Sequence, residues 1–271
     1  MYISLNGNLL KKQHAAISPL SESVLYGYGL FETIKVSQQK MFFFPEHFER
    51  LKAGSEDLNI PLKFSQELIY KYCHELILEN QLIDGALRIA HNRNDDGSYL
   101  IITTSARTYL PDAYAKGFKL CIAETQRNPN SLLVGIKSNN YLENILIRQQ
   151  AVKQGYDEAI FLNAFRQVCE GTISNIFFVK DTVVYTPDIR CGLLPGIVRS
   201  KVIKLVKQLN LEVELGSFEQ EILLNADEIF VTNSLLEIMP VSQFANKTFD
   251  LNNYPITKNI RETYELLYKC G

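Results

Sequence analysis

The sequence has few cysteines, and their arrangement argues against the sites that cysteines usually build. The five cysteines are an odd number, they are scattered along the chain, and no two of them form a Cys-x-x-Cys pair. This pattern speaks against a disulfide framework and a zinc site, and it is typical of a reducing compartment. The four histidines show no metal-ligand spacing either. We therefore expect no metal site and a cytoplasmic location.

Long apolar runs and a charge excess are also missing. The first seven residues lack the basic start and the apolar core of a signal peptide, and no apolar run approaches the length of a membrane span. Lysine and arginine number 28 against 30 acidic residues, for a net charge of −2. This balance gives no general reason to expect nucleic acid or an anionic membrane as a partner. We expect a small-molecule substrate, and any anion needs a local binding site.

Motifs of several common enzyme classes are absent as well. Gly27-x-Gly29 lacks the spacing and context of a dinucleotide-binding loop, and no Gly-x-Ser-x-Gly elbow exists. The 271 residues, without repeats, suffice for two domains that each bury a core. Mixed strand and helix patterns predict two α+β domains, at 1–108 and 117–271, with a linker at 109–116.

What is present is a lysine in a conspicuous setting, at the centre of residues 135–144. Lys137 lies among small and amide side chains, just before a strongly helical segment. A lysine on a loop between a strand and a helix can act as a nucleophile, because a partly desolvated amine loses its proton more readily. Most lysines, however, are only solvated charges.

Three features elsewhere in the chain would suit the binding of a phosphate group. Gly196-Ile197-Val198 begins a helix, whose N-terminus offers free backbone N–H groups to an anion. Thr232-Asn233-Ser234 follows a strand and could add a hydroxyl, and Arg50 could hold phosphate with two parallel hydrogen bonds. Each also has an ordinary interpretation, as a helix start, a turn and a surface arginine respectively.

Two further residues suit a cofactor ring. Glu170 ends a strand in apolar company, and a buried carboxylate needs a positive partner such as a protonated pyridine nitrogen. Tyr141, four residues after Lys137, could donate to a phenolic oxygen of the cofactor. The alternatives are a turn glutamate and a tyrosine that only packs.

Taken together, the motifs resemble the fold-type IV pyridoxal-phosphate enzymes, which include branched-chain aminotransferases, D-amino acid aminotransferases and aminodeoxychorismate lyase. The resemblance covers nearly the whole chain, and six motifs fall in the family's order. They are Phe31-Glu32-Thr33, His47-x-x-Arg50-Leu51, Ile136-Lys137, Glu170-Gly171-Thr172-x-Ser174-Asn175-Ile176-Phe177, Leu194-Pro195-Gly196-Ile197-Val198-Arg199 and Asn233-Ser234-Leu235-Leu236-Glu237-Ile238-Met239-Pro240-Val241.

The resemblance implies a smaller N-terminal α/β sandwich, a larger C-terminal pseudo-barrel domain, a homodimer and pyridoxal 5′-phosphate as the cofactor. It implies that Lys137 is the catalytic, Schiff-base lysine and that Glu170 contacts the pyridine nitrogen. The other residues implied to bind the cofactor are Arg50, Tyr141, Ile197, Val198 and Ser234. Those implied to bind the substrate are Phe31, Arg88, Asn233 and Leu235.

Within the family, Arg127-Asn128-Pro129 and the Lys-x-x-Asn spacing through Asn140 look most like aminodeoxychorismate lyase. That enzyme releases pyruvate from 4-amino-4-deoxychorismate and leaves 4-aminobenzoate for folate synthesis. Tyr141 and Arg88 instead resemble the branched-chain aminotransferases, and the Arg-x-His carboxylate trap of D-amino acid aminotransferases is absent after Arg93. The alternatives are therefore a class IV aminotransferase for branched-chain or D-amino acids and a non-catalytic phosphate-ligand binding protein.

Overall fold

The chain forms two compact units in a computed structural model that describes residues 1–269, with side chains described as far as residue 267. Cys270 lies outside the described residues. The first unit comprises Met1–Thr108 and Ile136–Tyr141, and the second comprises Tyr109–Gly135 and the chain from Leu142 onward. Residues 109–116, predicted as a linker, belong to the second unit and include a helix.

The first unit is a six-stranded antiparallel sheet, in the order β2-β1-β6-β5-β3-β4, with helices packed against it. Its elements are β1 (Tyr2–Leu5), β2 (Asn8–Lys11), α1 (Glu22–Tyr26), β3 (Gly29–Ser37), β4 (Lys40–Met41), α2 (Phe44–Asp57), α3 (Gln66–Glu79), β5 (Gly85–Asn94) and β6 (Gly97–Ser105), with a 3-10 helix at Lys12–His14. The turn between β1 and β2 has positive φ angles at Asn6 and Gly7, of 50° and 87°. This is the type I′ geometry that an Asn-Gly pair favours.

Strand β3 separates two sets of side chains, because successive residues of a strand point to opposite faces of the sheet. Leu30 and Ile34 belong to the hydrophobic core that β3 shares with α2 and α3. Glu32 has the same parity as these two residues, and it therefore faces α2. Phe31 has the opposite parity and lies beside Ala90 of β5, on the other face of the sheet.

The second unit is built on a nine-stranded mixed sheet, in the order β12-β11-β10-β13-β14-β7-β8-β9, with β15 paired to β14. Its elements are α4 (Pro111–Lys116), β7 (Phe118–Ile122), α5 (Leu142–Lys153), β8 (Glu158–Leu162), β9 (Val168–Gly171), β10 (Asn175–Lys180), β11 (Val183–Pro187), α6 (Ile197–Gln208), β12 (Val213–Gly216), α7 (Glu221–Asn225), β13 (Glu228–Asn233), β14 (Glu237–Phe244), β15 (Lys247–Thr248) and α8 (Pro255–Lys269), with 3-10 helices at Ile189–Cys191 and Leu251–Asn253.

Four strands of this sheet, β8, β9, β10 and β13, are buried along nearly their whole length. Strands covered on both faces read as continuous apolar runs rather than alternating ones. The carboxylates that these strands carry inside, at Glu158, Glu170 and Glu228, are therefore exceptions that need partners. Among the helices of residues 1–269, none is long and apolar enough to cross a membrane.

Candidate functional site

The loop that carries Lys137 is fixed to the first unit by its backbone. The N–H of Phe31 donates to the carbonyl oxygen of Lys137 at 2.8 Å, and the N–H of Asn139 donates to that of Gly29 at the same distance. Residues 136–141 thus lie beside the start of β3, where Leu30 and Ser138 form an isolated antiparallel bridge. These main-chain hydrogen bonds hold Lys137 in place, so its side chain is not needed to anchor the loop.

The amine of Lys137 lies among aromatic rings. Its Nζ is 4.6 Å from the centroid of the Phe31 ring and 5.7 Å from that of Tyr141. These two rings meet edge to face, with centroids 5.6 Å apart. The guanidinium carbon of Arg88 lies 3.5 Å from the Phe31 centroid. The first unit therefore brings the predicted site residues Arg88, Lys137 and Tyr141 together around the ring of Phe31, with the cationic groups of Arg88 and Lys137 against it.

Behind β3, a buried carboxylate holds Arg50. The Nε of Arg50 donates to Oε1 of Glu32 and a terminal nitrogen donates to Oε2, both at 2.7 Å. The Nδ1 of His47 lies 2.6 Å from the same Oε2. Burial alone would raise the pKa of Glu32, but Arg50 and His47 outweigh it and lower the pKa to about 2. Burial lowers the pKa of His47. Its Nδ1 is the donor in this contact, because an ionised carboxylate oxygen can only accept.

In the second unit, the buried carboxylate of Glu170 contacts a guanidinium, a backbone N–H and a side-chain amide. Its Oε1 lies 3.3 Å from a terminal nitrogen of Arg127, and its Oε2 accepts from the backbone N–H of Leu194 at 3.0 Å and from Nδ2 of Asn175 at 3.4 Å. The guanidinium of Arg127 lies 4.0 Å from the centroid of the Phe161 ring. Glu170 is thus compensated in charge and oriented from two sides.

Helix α6 begins at Ile197, directly after Gly196. Gly196 has an extended backbone and no side chain that could cap the first N–H groups of the helix. A Cβ on Gly196 would clash with Oδ1 of Asn175, so only glycine lets this side chain approach. Ile197 and Val198 supply the first N–H groups of the helix. Such a start can bind an anion.

The loop after β13 presents Ser234. The Oδ1 of Asn233 accepts from the N–H groups of Leu235 and Leu236, at 2.9 and 2.7 Å, so the loop is an Asn-stabilised turn. Just before it, the hydroxyl of Thr232 is buried and has no hydrogen-bond partner among the described residues.

The predicted site residues thus divide between the two units. The first unit holds Phe31, Arg50, Arg88, Lys137 and Tyr141, and the second holds Glu170, Ile197, Val198, Asn233, Ser234 and Leu235. Four residues near these side chains were not predicted to have a role: Glu32, His47, Arg127 and Asn175. All four fall within the sequence motifs quoted above, so the motifs could have identified them. The described residues contain no cluster of ligands that could hold a metal ion.

Comparison with known proteins decides the family. The model of the family described as amino-transferase class IV matches residues 29–244. The chain belongs to the class IV aminotransferases. The aminodeoxychorismate lyase of Bacillus subtilis is 30% identical over 277 residues, covering 98% of this chain and 93% of the relative.

Solved structures of class IV aminotransferases share the fold. The branched-chain amino acid aminotransferase of Escherichia coli matches with a TM-score of 0.92 and 28% identity, over 98% of this chain and 94% of its own. The T.th. branched-chain amino acid aminotransferase, solved with pyridoxamine 5′-phosphate, matches with a TM-score of 0.91 and 25% identity, over 99% and 94%. The predicted family, fold class and pyridoxal phosphate cofactor are confirmed. The predicted domain boundaries and the roles of the site residues remain predictions.

Proposed function

We propose that this chain is a pyridoxal-phosphate-dependent 4-amino-4-deoxychorismate lyase, which releases pyruvate and leaves 4-aminobenzoate for folate synthesis. The observation that carries the choice of reaction is the lysine loop. Asn140 stands three residues after Lys137, as in the lyase pattern, and its Nδ2 donates to the carbonyl oxygen of Gly27 at 3.2 Å. The end-to-end match with the Bacillus subtilis lyase supports the same choice.

The residues present fit the cofactor. The start of α6, where Gly196 has no side chain to cap the first N–H groups, suits its phosphate. The buried carboxylate of Glu170 suits its protonated ring nitrogen. We propose that Arg50, the N–H groups of Ile197 and Val198, and the Ser234 hydroxyl hold the phosphate, and that Tyr141 donates to the phenolic oxygen.

When bound, pyridoxal phosphate supplies an electron sink for the charge that proton removal leaves on a substrate carbon. The protein supplies the proton transfers. Nζ of Lys137 removes the proton from the amine-bearing carbon and then delivers a proton as the enolpyruvyl group departs. The carboxylate of Glu170, oriented by Arg127, keeps the ring nitrogen protonated throughout.

The substrate's carboxylates would be bound in the first unit. We propose that Arg88, stacked on Phe31, binds one of them, and that Phe31 packs against the apolar part of the substrate. The backbone of Asn233 and Leu235 would provide further contacts.

A class IV aminotransferase is the second candidate. The observation that favours it is Arg88, whose guanidinium contacts the same Phe31 ring as the Lys137 amine and could bind an amino-acid carboxylate, as the sequence resemblance implies. The fold match to the Escherichia coli aminotransferase is also close. The two reactions share proton removal by Lys137 and differ in where the proton returns.

A coupled assay tests the choice. The purified protein is incubated with chorismate, glutamine and an aminodeoxychorismate synthase, and 4-aminobenzoate and pyruvate are quantified. The proposal expects both products in equal amounts, and none with Lys137→Ala. Transfer of amino groups from branched-chain or D-amino acids to 2-oxoglutarate, without 4-aminobenzoate, would establish the aminotransferase. A protein that binds phosphate ligands but shows neither activity would establish the non-catalytic alternative.

We also propose that the chain forms a homodimer. Helix α5 buries Ile147 and Ala151 within the second unit, yet Leu142, Ile145 and Leu146 are 66%, 46% and 49% exposed on its other side. Apolar side chains grouped in this way mark a contact surface. Light scattering at micromolar concentration should give twice the mass of the chain, and a monomeric mass would refute the proposal.

A further inference from the structure

A tight turn follows Glu170 directly and connects β9 to β10. The N–H of Gly171 donates to the carbonyl oxygen of Ser174 at 2.7 Å, which closes the turn. The N–H of Thr172 donates to the carbonyl oxygen of Ala159 at 3.0 Å, which ties the turn to β8. Because Glu170 is the residue immediately before it, the position of this 171–174 turn fixes the position of the Glu170 backbone.

The side chain of Glu158, in β8, holds the 171–174 turn from inside the unit. Its Oε1 accepts from the N–H of Ile173 at 2.6 Å and from the Thr172 hydroxyl at 3.4 Å, and its Oε2 accepts from the Ser174 hydroxyl at 2.9 Å. Glu158 is fully buried. A Cβ on Gly171 would clash with Oε1, so this glycine is what admits the carboxylate.

From the turn, hydrogen bonds lead to Glu170. The carbonyl oxygen of Thr172 accepts from Nδ2 of Asn144 at 2.7 Å, and Oδ1 of Asn144 accepts from Arg127 at 3.3 Å. Arg127 then lies 3.3 Å from the Glu170 carboxylate. The turn therefore determines both the backbone of Glu170 and the direction of its charged partner.

A second set of hydrogen bonds leads from the same turn to Ser234. The carbonyl oxygen of Ile173 accepts from Nδ2 of Asn233 at 3.1 Å. The other amide atom, Oδ1 of Asn233, shapes the loop by accepting from Leu235 and Leu236. Ser234 lies within this loop, so its position also depends on where Ile173 is held.

We propose that Glu158 is a positioning residue that sets the relative placement of Glu170 and Ser234 through the 171–174 turn. This inference rests on the roles proposed above for these two residues in binding the cofactor. Glu158 itself does not need to touch the cofactor. Burying a carboxylate costs folding free energy. The hydrogen bonds of the Glu158 carboxylate are directed at the 171–174 turn, which positions both Glu170 and Ser234, and a residue that only stabilised the fold would not require this arrangement.

The test compares Glu158→Gln with a matched control, Glu228→Gln. Glu228 is also buried in the second unit, and its carboxylate accepts from the N–H groups of Ile256 and Thr257 at 3.0 and 2.6 Å, at the start of α8. Both substitutions replace a buried carboxylate with an amide of the same shape. Three quantities are measured: the dissociation constant for pyridoxal phosphate, the absorbance of the bound cofactor against pH, and the midpoint of thermal unfolding with and without cofactor.

For Glu158→Gln we expect the dissociation constant to rise about tenfold, because weakened charge-assisted bonds let the turn relax. The pH at which the cofactor absorbance changes should shift, and the thermal gain from saturating cofactor should shrink. Glu228→Gln should lower both unfolding midpoints equally and leave the dissociation constant within about twofold. If Glu158→Gln behaves like this control, the inference is refuted, while cofactor binding by the wild-type protein keeps the proposed function intact.

If Glu158→Gln does not fold, Ser174→Ala provides the test, since it removes only one donor to Glu158. It should raise the dissociation constant about threefold. An unchanged constant in this variant would overturn the inference. A wild-type protein that binds no pyridoxal phosphate would refute the proposed function itself, and the inference with it.

Discussion

Each unit pairs a buried glutamate with an arginine. The two pairs differ in how many carboxylate oxygens the arginine contacts and at what distance. In the first unit, Arg50 grips both oxygens of Glu32 at 2.7 Å, and His47 adds a third bond. In the second, Arg127 approaches one oxygen of Glu170 at 3.3 Å, and neutral amide donors approach the other. Arginine therefore contacts both oxygens of the first carboxylate and, at a longer distance, one oxygen of the second.

The difference matches the roles we propose. In the first pair Arg50 is the residue proposed to bind the cofactor phosphate, and Glu32 orients it and balances its charge. In the second pair Glu170 is the residue proposed to bind the cofactor, and Arg127 orients it through one oxygen. A contact to one oxygen suits a carboxylate that must bind a protonated ring nitrogen, because a two-pronged arginine would compete for the same oxygens. Three substitutions test this comparison.

The largest effect is expected for Glu170→Gln. The amide keeps the shape but cannot keep the ring nitrogen protonated, so kcat should fall by about 10³-fold. The dissociation constant for the cofactor should change much less, because the phosphate contacts are intact. Steady-state kinetics and cofactor titration measure the two quantities separately. A fall in affinity with normal turnover at saturation would reverse the roles assigned to the two pairs.

Glu32→Gln should mainly reduce stability. The fall in the pKa of Glu32 from 4.5 to about 2 corresponds to about 3 kcal/mol of stabilisation by its ionised form. Because the pKa of Glu32 is lower in the folded state, its ionised form stabilises the fold at pH values above the pKa of the unfolded state. This contribution is lost as the pH falls from about 4.5 towards 2. Urea unfolding should therefore show a difference between variant and wild type of about 3 kcal/mol at about pH 7 that shrinks in this range. A difference that does not depend on pH would contradict this account.

The smallest effect is expected for Arg50→Lys. Lysine keeps the charge but loses the rigid fork that bonds both oxygens of Glu32, so the remaining cation is poorly directed. The dissociation constant for pyridoxal phosphate should rise about tenfold, and kcat at saturating cofactor should stay within a fewfold of wild type. Equal loss in kcat at saturation would mean that Arg50 acts on the reaction and not on cofactor binding.

Local signals made much of the fold predictable from the sequence. The helix start after Gly196 occurs where the sequence indicated, and the Asn6-Gly7 turn has the geometry that this pair favours, because each depends on the chemistry of a few adjacent residues. The helix at Pro111–Lys116 was missed, since six residues with a proline show no period. The attachment of the 136–141 loop to β3 was also not predictable, because it rests on backbone bonds between distant segments.

For the candidate site, the sequence identified residues with distinctive chemistry but not those that orient them. Lys137, Arg50 and Glu170 were selected as an amine, a guanidinium and a buried acid with recognisable company. Glu158 and Asn144 were not selected, because a single polar residue in an apolar strand or a helix has no signal until its partners are known. Their importance lies in hydrogen bonds across the fold, which no linear pattern shows.

The most direct measurement is to locate the cofactor on the chain. The purified protein should absorb visible light, and reduction with borohydride should fix the cofactor covalently to the lysine that carries it. Digestion and mass spectrometry should then place a phosphopyridoxyl group on Lys137 and on no other lysine. A modified peptide that excludes Lys137, or a protein that takes up no cofactor, would contradict the account.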